Sequence, residues 1–274
     1  SVASRGLGDV YKRQKRGTVM NSQMISMIAL VRKETTRVLR IWVQTLIPPG
    51  ITMSLYFIIF GTLIGRRIGE MDGYPYMEYI APGLIMMSVI TNSYGNVVGS
   101  FFNAKIQRHI EELLVSPMSE ASIVIGYLAG GIIRGLFVAA VVSFIAMFFT
   151  NLNIKYPLLM LAVIIMTAGV FSLAGLLNAI FAKKFDDIAV IPSFVLAPLT
   201  YLGGVFYTVT LLPDFWQTVS KFNPILYMVN SMRYSVLGVS DIEILDGLLI
   251  IITFFILLLI ASIFLLKRGI GIRD

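Results

Sequence analysis

QRHIEELLVSPMS, residues 107–119, separates two long apolar runs, 79–102 and 123–149. Wound as a helix, it carries Ile110, Leu113 and Leu114 on one face and Arg108, Glu111 and Glu112 on the other. Ser116-Pro117 ends it, because proline disfavours helix in the residue before it. Each flanking run exceeds the roughly 20 residues that a helix needs to cross a hydrocarbon core. The polar stretch is therefore a short amphipathic helix between two membrane spans, a position suited to docking a soluble partner.

Working outward, six apolar runs can be drawn, at 41–64, 79–102, 123–149, 157–182, 188–209 and 248–266. Hydrophobic residues make up 57% of the chain and charged residues 14%, and the mean hydropathy is +0.84, which excludes a soluble domain of this length. Pro48-Pro49-Gly50 breaks the first run, and Pro192 and Pro198 fall in the fifth. Membrane helices tolerate such breaks where neighbouring helices satisfy the freed backbone groups. The expected fold is all-α, a polytopic bundle of six transmembrane helices. Before the first run, Met24, Ile25, Met27, Ile28, Leu30 and Val31 precede Arg32, Lys33, Arg37 and Arg40, the pattern of a helix lying in the interface.

The net charge of +7 calls for no nucleic acid, because its distribution follows the membrane. With the N-terminus inside, the inner segments hold Arg32, Lys33, Arg37, Arg40, Lys105, Arg108, Lys183, Lys184, Lys267, Arg268 and Arg273. The outer ones hold Arg66, Arg67, Lys155, Lys221 and Arg233, so both termini are expected in the cytoplasm. Residues 1–19 carry Arg5, Lys12, Arg13, Lys15 and Arg16 without an apolar partner region, which no signal peptide does. They read as a non-native or disordered extension ahead of a transmembrane domain over 20–274.

Cysteine is absent, so disulfides, thiolate metal sites and cysteine nucleophiles are excluded. The single histidine, His109, reads as a solvated helix residue and makes no metal site. Without a phosphate-binding Gly-x-x-x-x-Gly-Lys-Ser/Thr loop, any energy from ATP must come through another polypeptide, and the chain is not itself an enzyme. No Asp or Glu lies well inside a run, which disfavours the alternative of an ion-coupled secondary transporter or channel. Arg134 is the clear charge within a run; it lines the path of an anionic or amphipathic substrate, or it snorkels or pairs structurally. Asn92, Tyr94 and Asn96, with Thr200, Tyr201 and Tyr207, are further candidates for that path. Gly61/Gly65, Gly95/Gly99, Gly126/Gly130 and Gly131/Gly135 allow close helix approach, chiefly within the subunit.

Residues 111–117, EELLVSP, resemble the cytoplasmic coupling segment of ABC-2 type permeases, the membrane subunits of bacterial ABC exporters. PLTYLGGVFY (198–207), LLPDFW (211–216) and Asn223-Pro224 also resemble that family. From Met24 onward the chain is similar to its YadH-type branch, including RIWVQTL (40–46), APGLIMM (81–87) and AKKFDD (182–187). The resemblance implies six spans per subunit, an N-terminal interfacial helix and an external re-entrant helical hairpin between the fifth and sixth spans. It implies a homodimer among membrane lipids in the bacterial inner membrane, and a separate ABC ATPase subunit that binds ATP and Mg, this chain holding no cofactor. Arg108, Glu111, Glu112, Leu113, Leu114, Ser116 and Pro117 would then couple to the ATPase. Leu212, Pro213, Phe215, Trp216, Asn223 and Pro224 would form an external gate, residues 211–237 dipping into the bilayer; a folded outer loop with an aromatic belt is the other reading. Export of an amphipathic, drug-like, lipid-linked or polysaccharide substrate is implied without a choice among them.

Overall fold

The computed structural model describes residues 23–116 and 118–271. Residues 1–19, Pro117, the side chain of Leu114, and Arg273 lie outside the described residues. Helix α1 (residues 23–40) passes through one turn at Ile41 into α2 (Trp42–Tyr56), which continues as a π-wound segment (Phe57–Ile64) and α3 (Gly65–Ile68). Pro48 and Pro49 lie inside this helical stretch and do not break it, contrary to the sequence expectation. A two-stranded hairpin, β1 (Glu70–Met71) and β2 (Tyr74–Pro75), turns at Asp72-Gly73, both with positive φ, as tight hairpins require.

Then follow α4 (Tyr76–Ile106), α5 (His109–Val115), α6 (Glu120–Phe149) and α7 (Pro157–Phe181). A fifth long stretch joins α8 (Phe185–Ile191), a π-wound segment (Pro192–Leu196) and α9 (Ala197–Leu202). After a 3-10 turn (Val209–Leu211) come α10 (Asp214–Lys221), α11 (Pro224–Leu237) and α12 (Ile244–Arg268).

Among the described residues, five stretches are long and apolar enough to cross a membrane: Trp42–Ile68, Glu120–Phe149, Pro157–Phe181, Phe185–Leu202 and Ile244–Arg268. The expected run 79–102 falls in α4, which at 31 residues has ample length, about 46 Å, but is too polar to qualify. Its place in the bundle explains this. α4 packs against α6, α7 and α11, and Tyr79, Ile80, Ala81, Leu84, Ile85 and Met86 have no exposed surface. A helix enclosed by protein can carry polar groups that lipid would penalise. The fifth run ends at Leu202 and not at 209, because Gly203-Gly204 stops the helix, Gly204 at φ +72°.

The expected interfacial helix, α1, is packed more deeply than its amphipathic pattern implies. Leu30, Glu34 and Val38 are buried, and a Cβ at Gly130 of α6 would stand 2.8 Å from that of Glu34. The Gly126/Gly130 and Gly131/Gly135 pairs are thus used inside the subunit, as are Gly61 and Gly65, whereas added Cβ atoms at Gly95 and Gly99 would meet open space.

Candidate functional site

At one end of the bundle Arg108, at φ +60°, turns the chain out of α4 and into α5. Ile110, 2% exposed, pins α5 into a core with Leu30, Phe101, Ile123 and Tyr127, and Leu113 packs beside it. Arg108, His109, Glu111 and Glu112 face outward. The two faces are those that the periodicity predicts. Ser116 is extended, as a residue before proline should be; its Oγ donates to Leu113 O (2.6 Å), and its N–H to Glu112 O (3.1 Å). Val115 is 88% exposed, an apolar tip that sequence reasoning missed although it falls off the buried face. The AKKFDD segment lies at the same end: Phe185 meets Phe102 edge-on at 5.1 Å, and the Asp187 carboxylate accepts the N–H groups of Lys183 and Lys184.

The polarity of α4 is concentrated in one stripe, with Ser88, Thr91, Asn92, Gly95, Asn96, Gly99 and Ser100 recurring at three- and four-residue spacing. Arg134 of α6 donates to Asn92 Oδ1 (3.1 Å). One turn along, Arg37 of α1 donates to Asn96 Oδ1 (2.9 Å) and to Glu34 Oε2 (2.9 Å), and Ser100 Oγ donates to the same carboxylate (2.8 Å). Glu34 is 1% exposed. Sequence reasoning missed it because it precedes the first apolar run; the usable signal was its place between Leu30 and Val38 on one helix face. Thr91 and Asn92 border a cavity of ≈ 260 Å³ with Pro48, Pro49, Thr52 and Tyr56 of α2. Above it Tyr56, Phe60, Tyr201 and Phe206 form a chain of rings, with centroids 4.6 to 6.2 Å apart.

Arg134, Asn92 and Asn96 therefore come together, and Tyr201, whose carbonyl accepts the Tyr207 hydroxyl (3.0 Å), belongs to the ring cluster. Tyr94 and Thr200 do not join them. The Tyr94 carbonyl backs onto Gly175 of α7, and Thr200 is buried with its hydroxyl bonded to Leu196 O in its own helix.

The family profile of ABC-2 type transporters matches residues 26–237, from α1 through the last residue of α11. The chain belongs to the ABC-2 type transporter family. This ABC-2 protein is 51% identical over 256 residues to inner membrane transport permease YadH of Escherichia coli (strain K12), a match covering 93% of this chain and 100% of YadH. YadH of Shigella flexneri matches to the same extent. Nodulation protein J of Rhizobium leguminosarum bv. viciae is 24% identical over 185 residues, 67% of this chain and 71% of that protein.

At the opposite end of the ABC-2 bundle, α10 is an exposed helix and α11 a buried one. Phe215 and Trp216 are exposed and meet edge-on at 5.3 Å; Leu212 is half-buried and Pro213 exposed. Asn223 starts α11, its Oδ1 accepting the Ile225 N–H (3.0 Å) and its Nδ2 donating to Leu199 O (2.6 Å), with Pro224 in the first turn. Arg233, counted from the sequence among the charges of the outer segments, is 1% exposed. Its guanidinium donates to Gly204 O (2.6 Å), lies 3.8 Å from the Asp241 carboxylate and stacks 4.0 Å over the Tyr79 ring. The carbonyl, the carboxylate and the ring together offset the burial of the charge, although Nε finds no acceptor among the described residues.

Proposed function

We propose that this ABC-2 protein is the transmembrane permease subunit of an ATP-driven exporter in the bacterial inner membrane, working as a homodimer with a separate ABC ATPase. The observation that carries the reading is α5. Its apolar face is anchored by Ile110 while Glu111, Glu112 and the Val115 tip stand free. Two residues, Gln107 and Arg108, separate it from α4, so a displacement of α5 passes directly to the helix that bears the polar stripe.

In this reading α4 is the second of six spans, and α5 and both termini are cytoplasmic. ATP and Mg are held by the partner, and closure of paired ATPases tilts α5 and biases the bundle between two arrangements. The open Gly95/Gly99 face of α4 turns toward the second copy, and Asn92, Asn96 and Arg134 line the path between them. The cavity beside α2 leads on to the rings of Tyr56, Tyr201 and Phe206. Segment 212–224, at the far end, is the gate. The modest cavities suit an amphipathic cargo better than a hydrated polymer.

Replacing Glu112 by Lys reverses the charge offered to the ATPase. Co-purified ATPase and ATP-dependent transport should each fall at least about tenfold, the size of one charge-assisted contact, with membrane insertion unchanged. A variant that retains its ATPase and transports normally would refute the assignment. Transport by proteoliposomes driven by an ion gradient without ATP would favour the ion-coupled alternative.

A further inference from the structure

We infer that Arg134, with Asn92 and the Arg37 cluster, forms a ladder of guanidinium groups that takes the anionic headgroup of an amphiphile into the middle of the membrane from the α5 end. The inference rests on the permease reading for its direction of travel, but the binding site stands on geometry alone. Arg134 lies 14 residues from the start of α6 and 15 from its end, about 20 Å from either. That depth is beyond the reach of snorkelling, and an arginine at a span centre carries a large desolvation cost. A buried charge normally meets this cost with a counter-charge. Arg233 has the Asp241 carboxylate and Arg37 has Glu34, whereas among the described residues Arg134 has no carboxylate within ion-pair reach and bonds only to the neutral Asn92.

The seam around it is also rich in donors and poor in acceptors. Arg134 Nε and Asn96 Nδ2 are buried with no acceptor among the described residues. One turn nearer the α5 end, Arg37 also borders an open groove of ≈ 530 Å³ on the outer face of α1, whose described lining, Arg32, Lys33, Thr36 and Arg40 among it, comes from α1 and the turn at Ile41 alone. On the α4 stripe itself two guanidinium groups, Arg134 and Arg37, thus face one carboxylate, Glu34, which is already engaged by Arg37 and Ser100. Gly95, between the two guanidinium levels, and Gly99, one turn nearer the α5 end, leave the α4 surface unobstructed. Met53, Met87 and Tyr56 around the Asn92 cavity supply adaptable apolar walls for a tail. The ligand chemistry is a phosphate or carboxylate head on an apolar body.

The test is binding by the purified full chain in a neutral detergent, read by anisotropy of fluorescent phosphatidic acid and of phosphatidylcholine with the same acyl chains. The native protein should favour the anionic lipid at least about tenfold, as one added charge-assisted contact would give. Asn92→Asp places a carboxylate against Arg134, giving up only the amide's bond to Ser88 O (3.0 Å), and should reduce the preference to near unity; Arg134→Gln should do the same, and Arg134→Lys should keep most of it. Lys221→Gln, at the far end, should leave it intact. Equal binding of the two lipids by the native chain would overturn the inference. So would a preference that survives both Asn92→Asp and Arg134→Gln, or one that is lost equally in Lys221→Gln. Displacement of the labelled lipid by inorganic phosphate as readily as by unlabelled phosphatidic acid would also overturn it, by showing a free-ion site. No ATPase enters this measurement, so its failure is separate from failure of the Glu112→Lys test.

Discussion

At the scale of single residues, glycines divide the α4 surface into a packed side and an open side. A Cβ on Gly175 would stand 2.6 Å from the Tyr94 carbonyl oxygen, and backbone cannot swing aside as a flexible side chain can. Gly175→Ala should therefore destabilise the folded chain by about 1–3 kcal/mol, the usual range for overpacking. Gly95→Ala, facing open space, should be neutral or slightly stabilising, since alanine is the better helix former. Unfolding midpoints in detergent for the two variants check the pair; equal losses would mean that α4 and α7 do not approach as described. Both glycines look alike in the sequence, each inside an apolar or weakly polar run, and only the neighbour across the helix seam separates them.

At the scale of elements, the 211–237 region splits into an exposed α10 and a buried α11, although both carry aromatic and charged residues. The hydrogen bonds of Asn223 fix the corner between them, and Arg233 locks α11 to the Tyr79 ring and to Asp241. Because the chain has no cysteine, single replacements report exposure cleanly. Asp214→Cys and Lys221→Cys should react rapidly with an impermeant thiol reagent applied outside intact spheroplasts, and Ile225→Cys, at 0% exposure, should be slow. Labelling of Lys221→Cys from the cytoplasmic side alone would reverse the proposed topology. The α5 element was legible in advance because its two faces follow from a 3.6-residue period and its end from Ser116-Pro117, all within 13 residues. The α10–α11 corner was legible only as a change of composition.

At the scale of the whole molecule, α4 is enclosed by α6, α7 and α11 on one side while its Gly95/Gly99 face is uncovered. If two copies meet across that face, Gly99→Cys should give a dimer-sized product with a short bis-maleimide in membranes. Leu257→Cys, exposed on α12, should give none. A product from Leu257→Cys alone would place the seam on α12 instead.

The sequence by itself determined the helical membrane class, the amphipathic α5 with its acidic face, the family motifs and the presence of a charge at position 134. Those features rest on hydropathy, periodicity and turn chemistry, which act within a few turns of chain. The tertiary structure decided which charges are answered. Glu34 meets Ser100 across 66 residues, Arg134 meets Asn92 across 42, and Arg233 finds Gly204 across 29. It also decided that the most polar of the long helices lies at the centre of the bundle. Hydropathy scores a residue against lipid, but α4 is solvated by its neighbours, and the pairing of polar groups between helices has no local signature.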